Sequence, residues 1–239
     1  MQHRAWPSWG EAIVAPTEIM KYFAREDIRR RNVISRLSCN TNGFAVGCAR
    51  NRRYPRHDGC PTCHIGKPFG TSWITYTRSH DDIGLGYEDY MIEEPGWNAF
   101  GHRNFLKDYY AGIFPGSPAS GALFSSNPKT GDARISGTLA SLCGLETALK
   151  NGDQYAVSQS IDKILMMQAL SFFIGGMPML FYGDELGYTN DYSYLEDPGK
   201  SYDNRWMHRP VMDWERIKQI EISGSTEERI FPGLRNYWK

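Results

Sequence analysis

The chain has 239 residues, 41% of them hydrophobic, enough apolar material for one large domain or two small ones. Lys+Arg and Asp+Glu are both 27, so the formal charge is zero, which argues against a nucleic-acid partner and the basic face it would select. No apolar run is long enough to cross a bilayer and "MQHRAWPSWGEAIVAP" lacks a signal-peptide core, so the expectation is a cytoplasmic protein with no membrane partner.

In chain order, "WGEAIVAPTEIMKYFA" (9–24) reads as a short strand end, a Pro turn and a helix opened by Thr17 as N-cap. Residues 31–63 show neither helical nor strand periodicity, and they hold four of the five cysteines: Cys39, Cys48, Cys60 and Cys63. Cys60 to His64 spells CxxCH, the spacing of covalent c-type haem attachment, and the cluster also fits a zinc site. The haem alternative calls for an export signal, which the sequence does not show.

Residues 71–77, "TSWITYT", alternate as a strand and run into "RSHDDIG". Arg78, His80, Asp81 and Asp82 are therefore expected to crowd onto one strand end. Residues 84–134 form a loop-rich stretch with one helical candidate, "HRNFLKDYYAGIF". After Ile135, Leu139, Leu142, Leu145 and Leu149 follow a helical stripe that stops at Gly152. "SQSIDKILMMQALSFFIGG" predicts a second helix ending at Gly175-Gly176. "MLFYGDELG" then predicts a buried strand ending in Asp184-Glu185, and "RIFPGLRNYWK" a beginning helix. Strand, helix and strand at this spacing make a βαβ unit with polar residues at strand C-terminal ends, as a (β/α) barrel places its active site.

Glu11, Asp81-Asp82 and Asp184-Glu185 all fall at predicted strand ends. Chemistry at a glycosidic bond uses such a set: one protonated carboxyl for the leaving group, one to attack, and further charges around an oxocarbenium-like state. The alternative is that Asp-Asp merely opens a loop, and that Asp184-Glu185 is a strand-end hydrogen-bonding pair.

"GEAIVAP", "TRSHDDIG", "NPKTGDARISGT", "MPMLFYGDELG" and "DNRWMHRP" occur in this order in amylosucrase-like members of the α-amylase superfamily, glycoside hydrolase family 13, which the chain resembles over residues 10–30 and from 64 to the end. The resemblance implies an α/β fold, a partial (β/α)8 TIM barrel comprising roughly strands five to eight, with a long irregular insertion after strand seven. It implies Glu11 as general acid/base and Asp81 as the transition-state-stabilising carboxylate. His80 would bond the sugar in the donor subsite, and Asp82, Arg103, Arg134 and Arg205 would shape the sucrose and acceptor subsites; Arg205 alternatively only ties down a loop. The implied partners are sucrose and an α-glucan oligosaccharide, and the implied reaction is retaining glucosyl transfer, with hydrolysis of α-glucan or sucrose as the alternative. No cofactor and no metal are expected, and the oligomeric state is left open.

Two departures qualify the resemblance. The family's nucleophilic Asp lies on the fourth strand, and no position here matches it, so the expectation is half a barrel, inactive by itself. The resemblance also disappears between Arg31 and Cys63. Shifting the codons of Asn40–Cys63 by one nucleotide can spell "TPMALQWDALATGDTRVMTAAQHA", an amphipathic helix of the kind the family has there. Residues roughly 32–63 are therefore expected to be an out-of-frame, irregular segment in which CxxCH carries no function.

Overall fold

The computed structural model describes residues 8–11, 33–36, 72–85 and 89–238. Four short strands form one parallel sheet: β1 (Ser8–Glu11), β2 (Val33–Arg36), β3 (Ser72–Thr75) and, after two further strands, β6 (Met177–Pro178). Their spatial order is their chain order, with Glu11 opposite Arg36, Arg36 opposite Ile74, and Ile74 opposite Met177. A parallel sheet puts every strand C-terminus on the same end. The Arg78–Asp82 loop thus leaves β3 on the same end of the sheet as Glu11, the last residue of β1.

β2 lies at the near edge of the block expected to be irregular. Val33 and Ile34 are β-branched, and such residues suit a strand held between two neighbours. The expected irregular block, 32–63, thus includes one described strand. Its remainder, with Cys39, Cys48, Cys60, Cys63 and His64, lies outside the described residues, as does the Thr17 helix.

The segment from 84 to 134 is more ordered than its composition suggested. It holds α1 (Asp89–Glu93), α2 (Ala99–Tyr110) and β4 (Ala122–Phe124), which pairs antiparallel with β5 (Arg134–Ser136). Asn98 starts α2 by accepting a hydrogen bond from the Gly101 amide, a start signal earlier than the one read from the sequence.

The leucine stripe forms two helices instead of one, α3 (Leu139–Leu142) and α4 (Leu145–Asn151). Gly144 between them is left-handed at φ +95°, which breaks the helix while Leu139 and Leu145 stay on one buried face. α5 (Gln154–Phe173) follows Asp153, whose carboxylate accepts from the Tyr155 and Ala156 amides. α6 (Thr226–Arg235) is capped in the same way by Ser225.

The run "MLFYGDELG" does not extend as a strand. Pro178 has no amide hydrogen and sits where a strand needs no donor, at the end of the sheet, and the chain beyond it turns into a single 3₁₀ turn, Asp184–Leu186. Gly176 explains how β6 comes so close to β3: a Cβ there would stand 2.8 Å from the Trp73 carbonyl oxygen. Thr75 Oγ1 donates to the Ser171 carbonyl at 2.7 Å and fastens β3 to the end of α5.

The main core lies among the helices: Leu106 from α2, Leu145 from α4, Ile161 and Ile164 from α5, and Ile230 and Leu234 from α6. Ile164 is fully enclosed by this cluster. Ile164→Ala should lower unfolding stability by about 2–5 kcal/mol, measurable in urea, because transfer energy and a cavity cost add.

Candidate active site

The sheet end is organised by a buried ion pair. Arg78, three residues past β3, is 1% exposed, and its Nε donates to both carboxylate oxygens of Asp184 at 2.8 and 3.1 Å. Its Nη1 donates to the His208 carbonyl at 3.0 Å, and its guanidinium lies over the Phe181 ring. Burial pushes the Asp184 carboxyl above the usual carboxylate range, and the Arg78 charge pulls against that. Of the Asp184-Glu185 pair expected at a strand end, Asp184 makes this hydrogen-bonded contact, from a 3₁₀ turn and not from the strand itself.

His208 makes the second connection. Its Nδ1 accepts from the Gly137 amide at 3.0 Å, so the ring proton is on Nε2, which donates to the His80 carbonyl at 3.0 Å. Arg209 Nε donates to the same carbonyl at 2.8 Å. The 3₁₀ turn Asn204–His208 is in this way held against both the β3 loop and the end of β5.

A third connection is antiparallel. The Ile83 amide donates to the Ile135 carbonyl and the Ile135 amide to the Ile83 carbonyl, at 2.8 and 2.9 Å. This exchange sets Arg134 diagonal to Asp82, and Arg134 Nη1 reaches the Asp82 carboxylate at 3.2 Å.

On these supports stands a cluster of charges. Arg205 is locked to Asp203 by Nε and Nη2, the latter at 2.7 Å, and its guanidinium stacks on Phe124 at 4.6 Å. Its remaining nitrogen, Nη1, is 3.9 Å from both Asp81 and Asp82. The Arg205 guanidinium holds the Asp203 carboxyl below its usual range, and Asp203 in turn raises Arg205. His80 Nε2 is 3.5 Å from Asp81 Oδ1.

The two adjacent carboxylates are not equivalent. The Asp82 side chain is 6% exposed and that of Asp81 33%, beside a His80 side chain at 59%. Asp82 is enclosed by cations, whereas Asp81 and His80 can meet a ligand from solvent. An exposed carboxylate, an imidazole and an arginine plane are suited to sugar hydroxyls.

Four of the residues named from sequence, Asp81, Asp82, Arg134 and Arg205, are thus linked by direct charge contacts, with His80 at the rim. Arg103 is engaged elsewhere: it pairs with Asp89 and donates to the Leu85 carbonyl, securing α1 and Leu85 against α2. Glu11 ends β1 on the same end of the sheet as the Asp81 loop. Among the described residues no three His, Cys, Asp or Glu side chains form a group that could hold a metal, and no helix is long and apolar enough to cross a membrane.

Asp203 and His208 were missed by sequence reasoning. Asp203 precedes Arg205 by two, a weak local signal that a 3₁₀ turn turns into a bidentate pair. His208 had no local signal at all, since its partners lie 71 and 128 positions away.

No family model matches the chain. Among solved structures it is similar to sucrose 6F-phosphate phosphorylase from Thermoanaerobacter thermosaccharolyticum, at 14% identity and a TM-score of 0.51, over 87% of this chain and 40% of that one. What the two share is the fold. The chain spans about two fifths of that protein's length.

Two outcomes follow from the supports. Arg78→Met leaves the Asp184 carboxyl buried without its cation and should cost about 3–5 kcal/mol of unfolding stability in denaturant titration. The second concerns His208, whose pKa is depressed to about 4, first by burial and further by the Arg78, Arg209 and Arg205 charges, against the opposing bond to the His80 carbonyl. The unfolded chain takes up this proton near pH 6.5 and the folded chain does not, so stability falls as pH drops from 6.5 towards 4. That window should cost about 3 kcal/mol. The difference in pH dependence between the wild-type chain and His208→Gln isolates it.

Proposed function

We propose that the chain contributes strands five to eight of a (β/α)8 barrel in a carbohydrate-active enzyme of the α-amylase superfamily, and that the completed enzyme transfers glucose from sucrose to an α-glucan with retention. The observation that carries this reading is the placement of Arg205 between Asp81 and Asp82, with exposed His80 beside them, on the sheet end where β1 delivers Glu11. The fold likeness to a sucrose-phosphate phosphorylase supports a sucrose-type donor.

In this mechanism a nucleophilic carboxylate opposite the Asp81 loop attacks the anomeric carbon while Glu11 gives its proton to the leaving fructose oxygen. Asp81 stabilises the positive charge that develops on the sugar ring, with Arg205 fixing its direction. His80 and Asp82 position hydroxyls of the donor, and Arg134 holds the Asp82 carboxylate in place through their ion pair. Glu11 then removes the proton of an acceptor hydroxyl as that oxygen takes the glucosyl group back from the nucleophile. A glucan acceptor gives transfer and water gives hydrolysis. No position in the chain matches the nucleophile, so chemistry requires strands that carry one.

The test compares sucrose turnover by this chain with turnover by the same chain joined to four preceding barrel strands that bear the nucleophile. The chain alone should release no fructose, and the joined protein should release it. In the joined protein Asp81→Asn should lower kcat by about 10²–10³, as for loss of one preorganised electrostatic group, and Glu11→Gln by about 10²–10⁴. Elongated glucan against free glucose separates transfer from hydrolysis. Fructose release by the 239-residue chain, or an Asp81→Asn enzyme with undiminished kcat, contradicts the proposal.

A further inference from the structure

The peptide unit between His80 and Asp81 is held on every side. Its carbonyl oxygen accepts from His208 Nε2 at 3.0 Å and Arg209 Nε at 2.8 Å, which uses both lone pairs. Its amide, that of Asp81, donates to Ser79 Oγ at 3.2 Å. The plane of one peptide fixes the positions of the two α-carbons it joins, here those of His80 and Asp81, from which their side chains start.

The donors are themselves anchored. His208 cannot swing away, because its Nδ1 takes the Gly137 amide and its own carbonyl takes Arg78, which the Asp184 carboxylate secures. Arg209 lies over the Trp206 ring. The line from Asp184 through Arg78 and His208 ends at the His80 carbonyl, whose carbon is one bond from the α-carbon of His80 and two from that of Asp81.

We propose that His208 and Arg209 are positioning residues: by donating together to the His80 carbonyl they fix the orientation in which His80 and Asp81 are presented to the sugar. This deepens the glucoside reading of the site and rests on it. Neither residue touches the sugar in this role; both act through the backbone.

The two ring nitrogens of His208 permit a dissecting experiment. In His208→Gln the side-chain amide nitrogen takes the place of Nε2 and keeps the bond to His80, while the Gly137 amide loses its acceptor. In His208→Asn the side-chain oxygen takes the place of Nδ1 and keeps Gly137, while the donor to His80 is gone. Arg209→Leu retains apolar cover over Trp206 and removes the second donor. All three are made in the full 239-residue chain and followed by amide NMR, with the Asp81 amide as reporter and Ala148 and Ile164 as remote controls.

His208→Asn and Arg209→Leu should displace the Asp81 amide resonance with the controls unmoved, and His208→Gln should not. Titrated with sucrose, wild type and His208→Gln should show matching changes at Asp81 and Arg205, and His208→Asn should bind about tenfold more weakly, the scale of one lost hydrogen bond. A purely structural His208 would lower stability in both His variants and leave the Asp81 amide and the sucrose response of His208→Asn at wild-type values; that result overturns the proposal. If sucrose perturbs no site amide in wild type, the glucoside reading fails for this chain, and an undisplaced Asp81 amide in His208→Asn still refutes the clamp separately. Should His208→Asn not fold, Arg209→Leu carries the same two readouts from a partly exposed position.

Discussion

The Arg78–Asp184 pair is the constraint on which the sheet end depends. A guanidinium at 1% exposure is tolerable only with a carboxylate across from it and acceptors for its remaining nitrogens. Asp184 supplies the first and the His208 carbonyl one of the second. Because the three residues come from the loop after β3, the turn after β6 and the 204–208 turn, satisfying one buried charge draws three distant segments to one place. Replacing the pair by apolar side chains could preserve packing, but it would remove the directionality that selects this arrangement over a slipped one.

From that anchor the site is built outward in order of rising exposure. Arg78, Asp184 and His208 are enclosed, Asp82 nearly so, Arg205 and Asp81 are partly open, and His80 and Arg134 reach solvent. Such grading suits a ligand site. The buried groups cannot rearrange when a ligand arrives, and the exposed ones have little water to shed beyond their outward faces. Arg205 marks the transition: two of its nitrogens are committed to Asp203 and its face to Phe124, so its third nitrogen is directed at the Asp81–Asp82 pair with little freedom left. A guanidinium already ordered in this way loses less entropy when a ligand binds.

The sequence displayed the site in pieces. "RSHDDIG", "GDARISGT" and "DNRWMHRP" were legible as motifs, and their order suggested that they meet. What each residue does was less legible. Asp81 and Asp82 are adjacent and identical in type, yet one faces solvent and the other is covered, a difference that arises from the Ile83–Ile135 exchange bringing Arg134 over Asp82. Arg103 sat within the same set of expectations, but α2 carries it to Asp89. Local pattern also misjudged the extent of elements: Gly144 divided the leucine stripe, and Pro178 kept β6 short, because a left-handed residue and a missing donor overrule hydrophobic periodicity.

What the sequence determined by itself is the alternation of strand and helix, the Gly-Gly approach to β6 and the inventory of charged groups at strand ends. These depend on neighbours within a few residues, where steric and hydrogen-bonding rules act directly. Only the tertiary structure decided which charges are shared, which proton His208 keeps and which of two carboxylates is open. Those outcomes rest on contacts across 52 to 130 positions, where burial, not sequence spacing, sets the strength of every charge.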